Sequence, residues 1–153
     1  MSDVFGVIAS IGVVVSLLVS SWQTRELTRQ TSINNVMAGV SAMYNGMERL
    51  HHIETLVAAE PGLYGHFYGG ASLPADESQR ARVLTIAGML ADVVDYGLVI
   101  TESTPDIKFY VGWRDYALSL RRTSPAMSHL VEEHPLWWAA LNKHWREHPE
   151  PGV

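Results

Sequence analysis

Apolar residues fill the start of the chain on every helical face, with no polar side. The run from Val4 to Trp22 has no charged residue and no proline, and no charge occurs between Asp3 and Arg25. As a helix it spans about 28 Å, which matches the hydrocarbon thickness of a bilayer. We therefore predict a transmembrane anchor over residues 1–24, with Val4, Ile8, Ile11, Val15, Leu18 and Trp22 among its lipid-facing side chains.

Polar features of this run fit a membrane helix. Serine hydroxyls can bond to carbonyls of their own helix, and Trp22 stands where an interfacial aromatic residue belongs. Small residues recur every four positions at Gly12, Ser16 and Ser20, a stripe that lets two such helices associate closely. A cleaved signal peptide and a helix buried in a soluble oligomer are the alternatives, but no basic residue precedes the run.

Flanking charge predicts the orientation of the anchor. Arg25 and Arg29 follow the run, and no lysine or arginine precedes it. By the positive-inside rule, Met1 lies outside and the main domain is cytoplasmic. The sequence thus predicts a single-pass protein of the cell membrane.

Beyond the anchor, apolar residues alternate at three and four positions, which indicates a helix. No proline occurs before Pro61, so we expect one continuous helix to Pro61-Gly62, although the polar stretch 28–35 could kink it. This helix suits either a bundle or a short coiled coil. Its predicted stripe is Ile33, Val36, Val40, Met43, Met47, Leu50 and Val57, with Glu54 as an interruption.

Residues 61–74 are rich in glycine and proline, so we expect an irregular lid whose aromatic side chains pack on the bundle. A second helix is predicted from Pro74 or Ala75 to Ser103, with a core stripe of Val83, Ile86, Ala87, Leu90, Val94, Gly97 and Leu98. A third follows from Thr104 and Pro105, as N-cap and first residue. Its stripe is Phe109, Trp113, Tyr116 and Leu120.

Ser124-Pro125 repeats the cap-and-proline start and predicts a fourth helix to about His134. Pro135 is expected to open a fifth, with Trp137, Leu141 and Trp145 at four-residue spacing. No segment alternates as a strand does. The predicted class is therefore all-α: an N-terminal transmembrane helix that continues into a bundle of four to five helices over residues 25–148, with a loose tail at 149–153.

Composition excludes several classes of function. The chain has 153 residues, a net charge of −5 and no cysteine. The negative charge argues against a nucleic-acid partner, and the lack of cysteine removes disulfides and thiol chemistry. No phosphate-binding loop or nucleophile motif is present, so no cofactor is predicted.

Several segments of the sequence resemble those of an uncharacterised bacterial family of short proteins. They are VSSWQTRELTRQTSINNVMAGVSAMYNGME, EPGLYGHFYGG, RARVLTIAGMLADVVDYGL, WRDYALSLRRTSPAM and VEEHPLWW, which together cover most of residues 4–138. The resemblance implies one N-terminal membrane helix and a helical cytoplasmic domain. It implies no activity, cofactor or catalytic residue.

Glu48 and His51 have the Glu-x-x-His spacing of carboxylate-bridged di-iron bundles, which makes them the candidate metal ligands. Such a site needs a second copy of the motif, which the sequence lacks, so an ordinary surface pair is the favoured interpretation. Asp92 and Asp95 are expected on a solvated helix face. His129 with Glu133 is expected to form a surface pair.

Three tryptophans near the C-terminus have two interpretations. Trp137, Trp138 and Trp145 could lie in the lipid interface as a second membrane contact, or pack on the bundle, which is the favoured alternative. The chain as a whole suggests a membrane-tethered interaction or regulatory module. We expect three partners: the bilayer, an unidentified protein and a second copy of the chain. The second copy would associate through the span and residues 33–57. The alternative is a membrane-associated effector or metal-dependent enzyme, with a pocket around Glu48, His51 and residues 61–74.

Overall fold

The structure, a computed structural model, describes residues 2–103 and 111–149, and the side chains of residues 11–103 and 112–149. Within these residues the chain is all-α, as predicted, with six helices and no strand. The expected start of a helix at Thr104 and Pro105, the stripe position Phe109 and the tail 150–153 lie outside the described residues. The helices are α1 (Ser2–Ala59), α2 (Pro61–Tyr68), α3 (Glu77–Ser103), α4 (Val111–Thr123), α5 (Pro125–Glu133) and α6 (Ala139–Glu147).

Helix α1 runs without a break through the polar stretch 28–35, where a kink was the alternative. Threonine hydroxyls in and before this stretch donate to carbonyls one turn earlier in the same helix, as Thr28 does to Thr24 O (2.9 Å). The chain divides into two compact units after Ala38. The first consists of α1 up to Ala38, and the second begins at Gly39 and contains the bundle. The predicted boundary after residue 24 concerns the membrane edge and stays a prediction.

The buried stripe of α1 in the second unit differs slightly from the predicted one. Its buried positions follow spacings of four and three without interruption. The prediction placed Glu54 in the stripe as an interruption, but the buried residue at this point is Ile53. Val40 and Met47 are only half-buried, and Ile33, in the first unit, is 48% exposed. The buried set is Gly39, Met43, Gly46, Leu50, Ile53 and Val57.

The expected irregular segment at 61–74 is wrong in its first half, because Pro61–Tyr68 is helix α2. Pro61 stands in the first turn, where its missing N–H costs nothing, and Leu63 and Phe67 bury one face of the helix. Tyr64, expected to pack on the bundle, is 60% exposed. The helix ends before Gly70, whose φ of +72° is a left-handed conformation that favours glycine.

Helix α3 is the centre of the bundle and contacts α2, α4, α5 and α6. It begins at Glu77, two to three residues later than predicted, because the Asp76 carboxylate accepts a hydrogen bond from Gln79 N (2.8 Å) as an N-cap does. Its predicted core positions are buried. So are Ala91 and Val93, which widen the buried face because this helix has neighbours on several sides.

The turn between α4 and α5 confirms the predicted cap at Ser124. The Ser124 hydroxyl accepts from Met127 N (3.3 Å) and donates to His66 O at the end of α2 (3.0 Å). Thr123 Oγ1 donates to Phe67 O (3.2 Å), and Gly70 N donates to Thr123 O (2.8 Å). These bonds satisfy carbonyls at the C-terminus of α2 and hold that short helix against the bundle.

The expected start of a helix at Pro135 is also wrong. Residues His134 to Trp137 form a turn in which Trp137 N donates to His134 O (3.1 Å), and α6 begins only at Ala139. Proline is favoured at the second position of such a turn because its φ is already fixed there. The turn presents Leu136 and Trp137 outward, while Leu141 on α6 is fully buried.

Candidate functional site

Asp92 of α3 is exposed, as expected, and Asp95 is half-buried, but both carboxylates also hold α6. Asp92 Oδ1 accepts a hydrogen bond from Trp138 Nε1 (2.7 Å), and Asp95 Oδ1 accepts from Leu141 N (2.8 Å). Leu141 is the third residue of α6, so its N–H is one of those that a helix cannot satisfy internally. A carboxylate from another helix therefore acts as the N-terminal cap, and its charge suits the helix dipole.

The C-terminal end of α6 is held from α4. Arg121 Nη1 donates to Trp145 O (2.8 Å) and to His148 O (3.3 Å), and its guanidinium lies 5.5 Å from the Trp145 ring. Cations at the last carbonyls of a helix stabilise it in the same way that anions do at the first amides. The short helix α6 is thus fixed at both ends by charged side chains from its neighbours.

His144 packs at this contact between α4 and α6. Its Nε2 lies 3.2 Å from Arg114 O, and its ring lies 4.5 Å from that of His148. Burial, more than any other factor, lowers the pKa of His144 below its ordinary value. The side chain is therefore neutral at physiological pH.

The three tryptophans separate into two groups. Trp138 and Trp145 are each only 5% exposed and belong to the core, and Trp145 Nε1 donates to Ala117 O (3.0 Å). This is the packing alternative, so neither ring lies at a lipid interface. Trp137 is different, because 66% of it is exposed.

Glu48 and His51, the candidate metal ligands, are both exposed on α1. Glu48 lines a groove of about 410 Å³ against α3, in which Asp92 is the facing carboxylate. Within the part of the chain that the structure describes, no group of three or more histidine, aspartate, glutamate or cysteine side chains could hold a metal ion. His129 and Glu133 form an exposed pair, with Nε2 3.6 Å from Oε2.

The segment 61–74 borders a different hollow from the one that Glu48 lines. This hollow, of about 430 Å³, lies between α2 and the start of α3, and Pro61, His66, Pro74 and Arg82 are among its lining residues. Arg82 pairs with Glu60 there (2.5 Å). The predicted single pocket around Glu48, His51 and residues 61–74 is thus two separate depressions.

Two half-buried tyrosines form a further polar contact between helices. The hydroxyls of Tyr68 and Tyr116 lie 3.1 Å apart, and burial raises the pKa of both. Both phenols therefore stay protonated at neutral pH and act as hydrogen-bonding groups between α2 and α4.

Apolar side chains of the predicted anchor are exposed along all faces of α1. Those of Ile11, Val13, Val14, Val15, Leu17, Leu18 and Val19 are between 48% and 65% exposed, and Trp22 is 67% exposed. The smaller residues Gly12, Ser16 and Ser20 are exposed on the same helix. The side chains of Val4 and Ile8 lie outside the described residues.

Where the structure describes side chains, from Ile11 onward, α3 is long and apolar enough to cross a membrane, but half of that stretch is buried in the bundle. A core helix of a globular domain passes the same test, so this helix is weak evidence for a membrane span.

Comparison of the chain with protein-family models, with curated proteins and with solved structures finds no match.

Proposed function

We propose that this protein is a membrane-tethered helical interaction module, with residues 4–22 in the bilayer. The observation that carries the proposal is the exposure of apolar side chains on every face of α1 from Ile11 to Val19. Burial of one such side chain stabilises by about 1.5–3 kcal/mol, so seven of them favour an apolar environment by roughly 10–20 kcal/mol. A bilayer supplies such an environment around the whole circumference of a helix.

The flanking residues support a cytoplasmic bundle. Arg25 and Arg29 follow the span directly, and the ion pair of Arg29 with Glu26 (2.8 Å) leaves this bias in place because acidic residues contribute little to the rule. The resemblance noted in the sequence implies the same topology. We therefore propose a single-pass protein of a bacterial cell membrane, with its bundle on the cytoplasmic side.

A binding role is favoured over a catalytic one by how the polar residues of the bundle are used. Asp92, Asp95 and Ser124 bond to neighbouring helices, and Tyr68 and Tyr116 bond to each other. These groups specify the packing of helices. Tethering to a surface raises the local concentration of a weak binder, so a modest affinity suffices.

A second copy of the chain is a proposed partner along the first unit. Leu27, Ile33 and Met37 are 63%, 48% and 62% exposed on the part of α1 that follows the span. Within the span, the stripe of Gly12, Ser16 and Ser20 supports close approach of two helices. Cross-linking of the full chain in membranes tests this association.

The tether is tested by placing charge in the middle of the span. A lysine at the centre of a membrane helix costs about 2.5–3.5 kcal/mol, so Val13→Lys with Val14→Lys should move much of the protein out of the membrane fraction. Thr55→Lys, at an exposed position of the same helix, is the matched control and should leave the distribution unchanged.

The assay is fractionation of cells followed by an alkaline wash of the membranes, with circular dichroism to confirm that each variant stays helical. Wild-type protein should remain with the membranes after the wash. A wild-type chain that is soluble and monomeric without detergent would refute the tether.

A further inference from the structure

The hollow between α2 and the start of α3 has the dimensions of a small-molecule site. Its volume of about 430 Å³ lies within the range of about 300–1,000 Å³ that is usual for ligand pockets. Leu63 and Val83, both buried, close its floor, and the rings of Pro61 and Pro74 also line it. Because proline fixes its own backbone, these walls are largely formed before a ligand arrives, which lowers the entropy lost on binding.

One pair of opposite charges stands in this hollow. Arg82 Nη1 lies 2.5 Å from Glu60 Oε1, and the two side chains are 53% and 44% exposed. Glu60 occupies the N-cap position of α2, but its carboxylate makes no capping bond to that helix. The pair shows that the Arg82 guanidinium is placed to hold a carboxylate within the hollow.

The carboxylate on Arg82 can be exchanged for another. An ion pair between partly exposed side chains contributes little to stability, because water solvates both partners when they separate. A guanidinium is planar and matches the two oxygens of a carboxylate with parallel N–H donors. A ligand carboxylate can therefore take the place of Glu60, whose side chain then returns to solvent.

His66 brings a second polar group to the hollow from α2. Its Nδ1 is buried and has no hydrogen-bond partner among the described residues. A buried N–H without an acceptor is less tolerable than an unused lone pair, so the ring proton belongs on Nε2. Nε2 is then the donor that this ring can offer to a ligand.

The charges of the lining indicate the class of ligand. Among the lining residues, Arg82 and Glu60 carry the full charges, and Ser78 and Gln79 are neutral polar groups. A single guanidinium matches a single carboxylate. A phosphate group carries up to two negative charges, so the Glu60 carboxylate repels it more strongly.

We propose that this hollow binds a small monocarboxylate with an apolar body. The ligand carboxylate pairs with Arg82 in place of Glu60 and accepts a hydrogen bond from His66 Nε2. Its apolar body lies against Pro61 and Pro74. The site is independent of the proposed tether, because all of these residues belong to the unit that contains the bundle.

The test is isothermal titration calorimetry of the full-length protein in mild detergent. The probes are phenylacetate and phenylacetamide, which have nearly the same shape and differ in charge, and titration into micelles alone gives the background. Wild-type protein is compared with Arg82→Gln and Glu60→Gln. Arg80→Gln is the matched control, since Arg80 is exposed on the same helix but does not line the hollow.

Phenylacetate should bind to the wild-type protein, and phenylacetamide should bind much more weakly. Arg82→Gln should weaken the binding of phenylacetate roughly tenfold to a hundredfold, which corresponds to the loss of a charge-assisted hydrogen bond. Glu60→Gln should strengthen it several-fold, because the competing carboxylate is gone. Arg80→Gln should leave it unchanged, and circular dichroism checks that each variant remains folded.

Other results overturn the inference. Absence of binding to both the wild-type protein and Glu60→Gln rejects the site. Equal affinity for phenylacetamide, or unchanged affinity in Arg82→Gln, means that the guanidinium does not hold the ligand. Weaker binding by Glu60→Gln rejects the exchange of carboxylates, and stronger binding of inorganic phosphate than of phenylacetate rejects the ligand class. None of these results alters the membrane fractionation that tests the tether.

Discussion

Replacement of Gly97 by alanine should destabilise the bundle, although alanine is the better helix former. Gly97 is buried in α3, and a Cβ atom added there would lie 2.7 Å from Cε3 and 2.8 Å from Cε2 of the Trp113 ring on α4. Real Cβ contacts are longer than this, so the ring or a helix must move. Trp113 is only 5% exposed and packs among the core residues, which leaves its ring little room to shift.

The magnitude follows from two opposing effects. Overpacking a close-packed core costs about 1–3 kcal/mol, and the rigidity of the tryptophan places this site near the upper value. The gain from replacing glycine in a helix is about 1 kcal/mol, so the net loss is about 2 kcal/mol.

Gly88 of the same helix provides the matched control. A Cβ there would lie 3.5 Å from Leu130 Cδ2, which is an ordinary contact, so Gly88→Ala should stabilise by about 0.5–1 kcal/mol. The assay is urea unfolding of the full-length protein in mild detergent, followed by near-ultraviolet circular dichroism. Trp113→Phe in the Gly97→Ala background should recover part of the loss, as expected for two residues in contact. If Gly97→Ala stabilises the protein as much as Gly88→Ala does, the close packing of Trp113 on α3 is wrong.

Two further predictions concern the attachment of α6. Asp95→Ala removes the cap on Leu141 N and should lower the free energy of unfolding by about 1 kcal/mol in the same urea assay, whereas Asp95→Asn, which keeps an acceptor oxygen, should lose less. The pKa of His144 is lowered from 6.5 in the folded protein, so its unfolded form binds the proton at the higher pH. Its contribution to stability is therefore complete above about pH 6.5 and falls with acidification until the folded-state pKa is passed. His144→Gln should flatten the dependence of stability on pH below about pH 6.5, and an unchanged slope there would contradict the role of its burial.

Features governed by neighbouring residues in the chain were predictable from the sequence. The all-α class follows from apolar spacing, and the start of α5 follows from Ser124-Pro125, because both depend on rules that act within one helical turn. The continuity of α1 was favoured for a similar reason, since no proline interrupts it before Pro61.

Features that depend on contacts between distant residues were not predictable in this way. Glycine and proline in 61–74 argued against a helix, but α2 is held by the hydroxyls of Thr123 and Ser124, which lie more than fifty residues away. The bonds of Asp92 and Asp95 to the start of α6 were missed because periodicity identifies only the most apolar face of a helix. A central helix such as α3 has a second packed face, where a carboxylate can meet the start of another helix. The i,i+3 spacing of these two aspartates was the available signal.

The attachment of α6 and the exposure of the turn before it are parts of one arrangement. Asp95 fixes the N-terminus of α6, and Arg121 fixes its last carbonyls, so the helix cannot slide along the bundle to bury Leu136 and Trp137. Trp138, bonded to Asp92, marks the point at which the chain enters the core. Burial of the side chains of Leu136 and Trp137 would stabilise the protein, but the hydrogen bonds on either side of the turn keep them exposed. Such a position is costly for a side chain that faces only water, and it is favourable for one that meets an apolar surface.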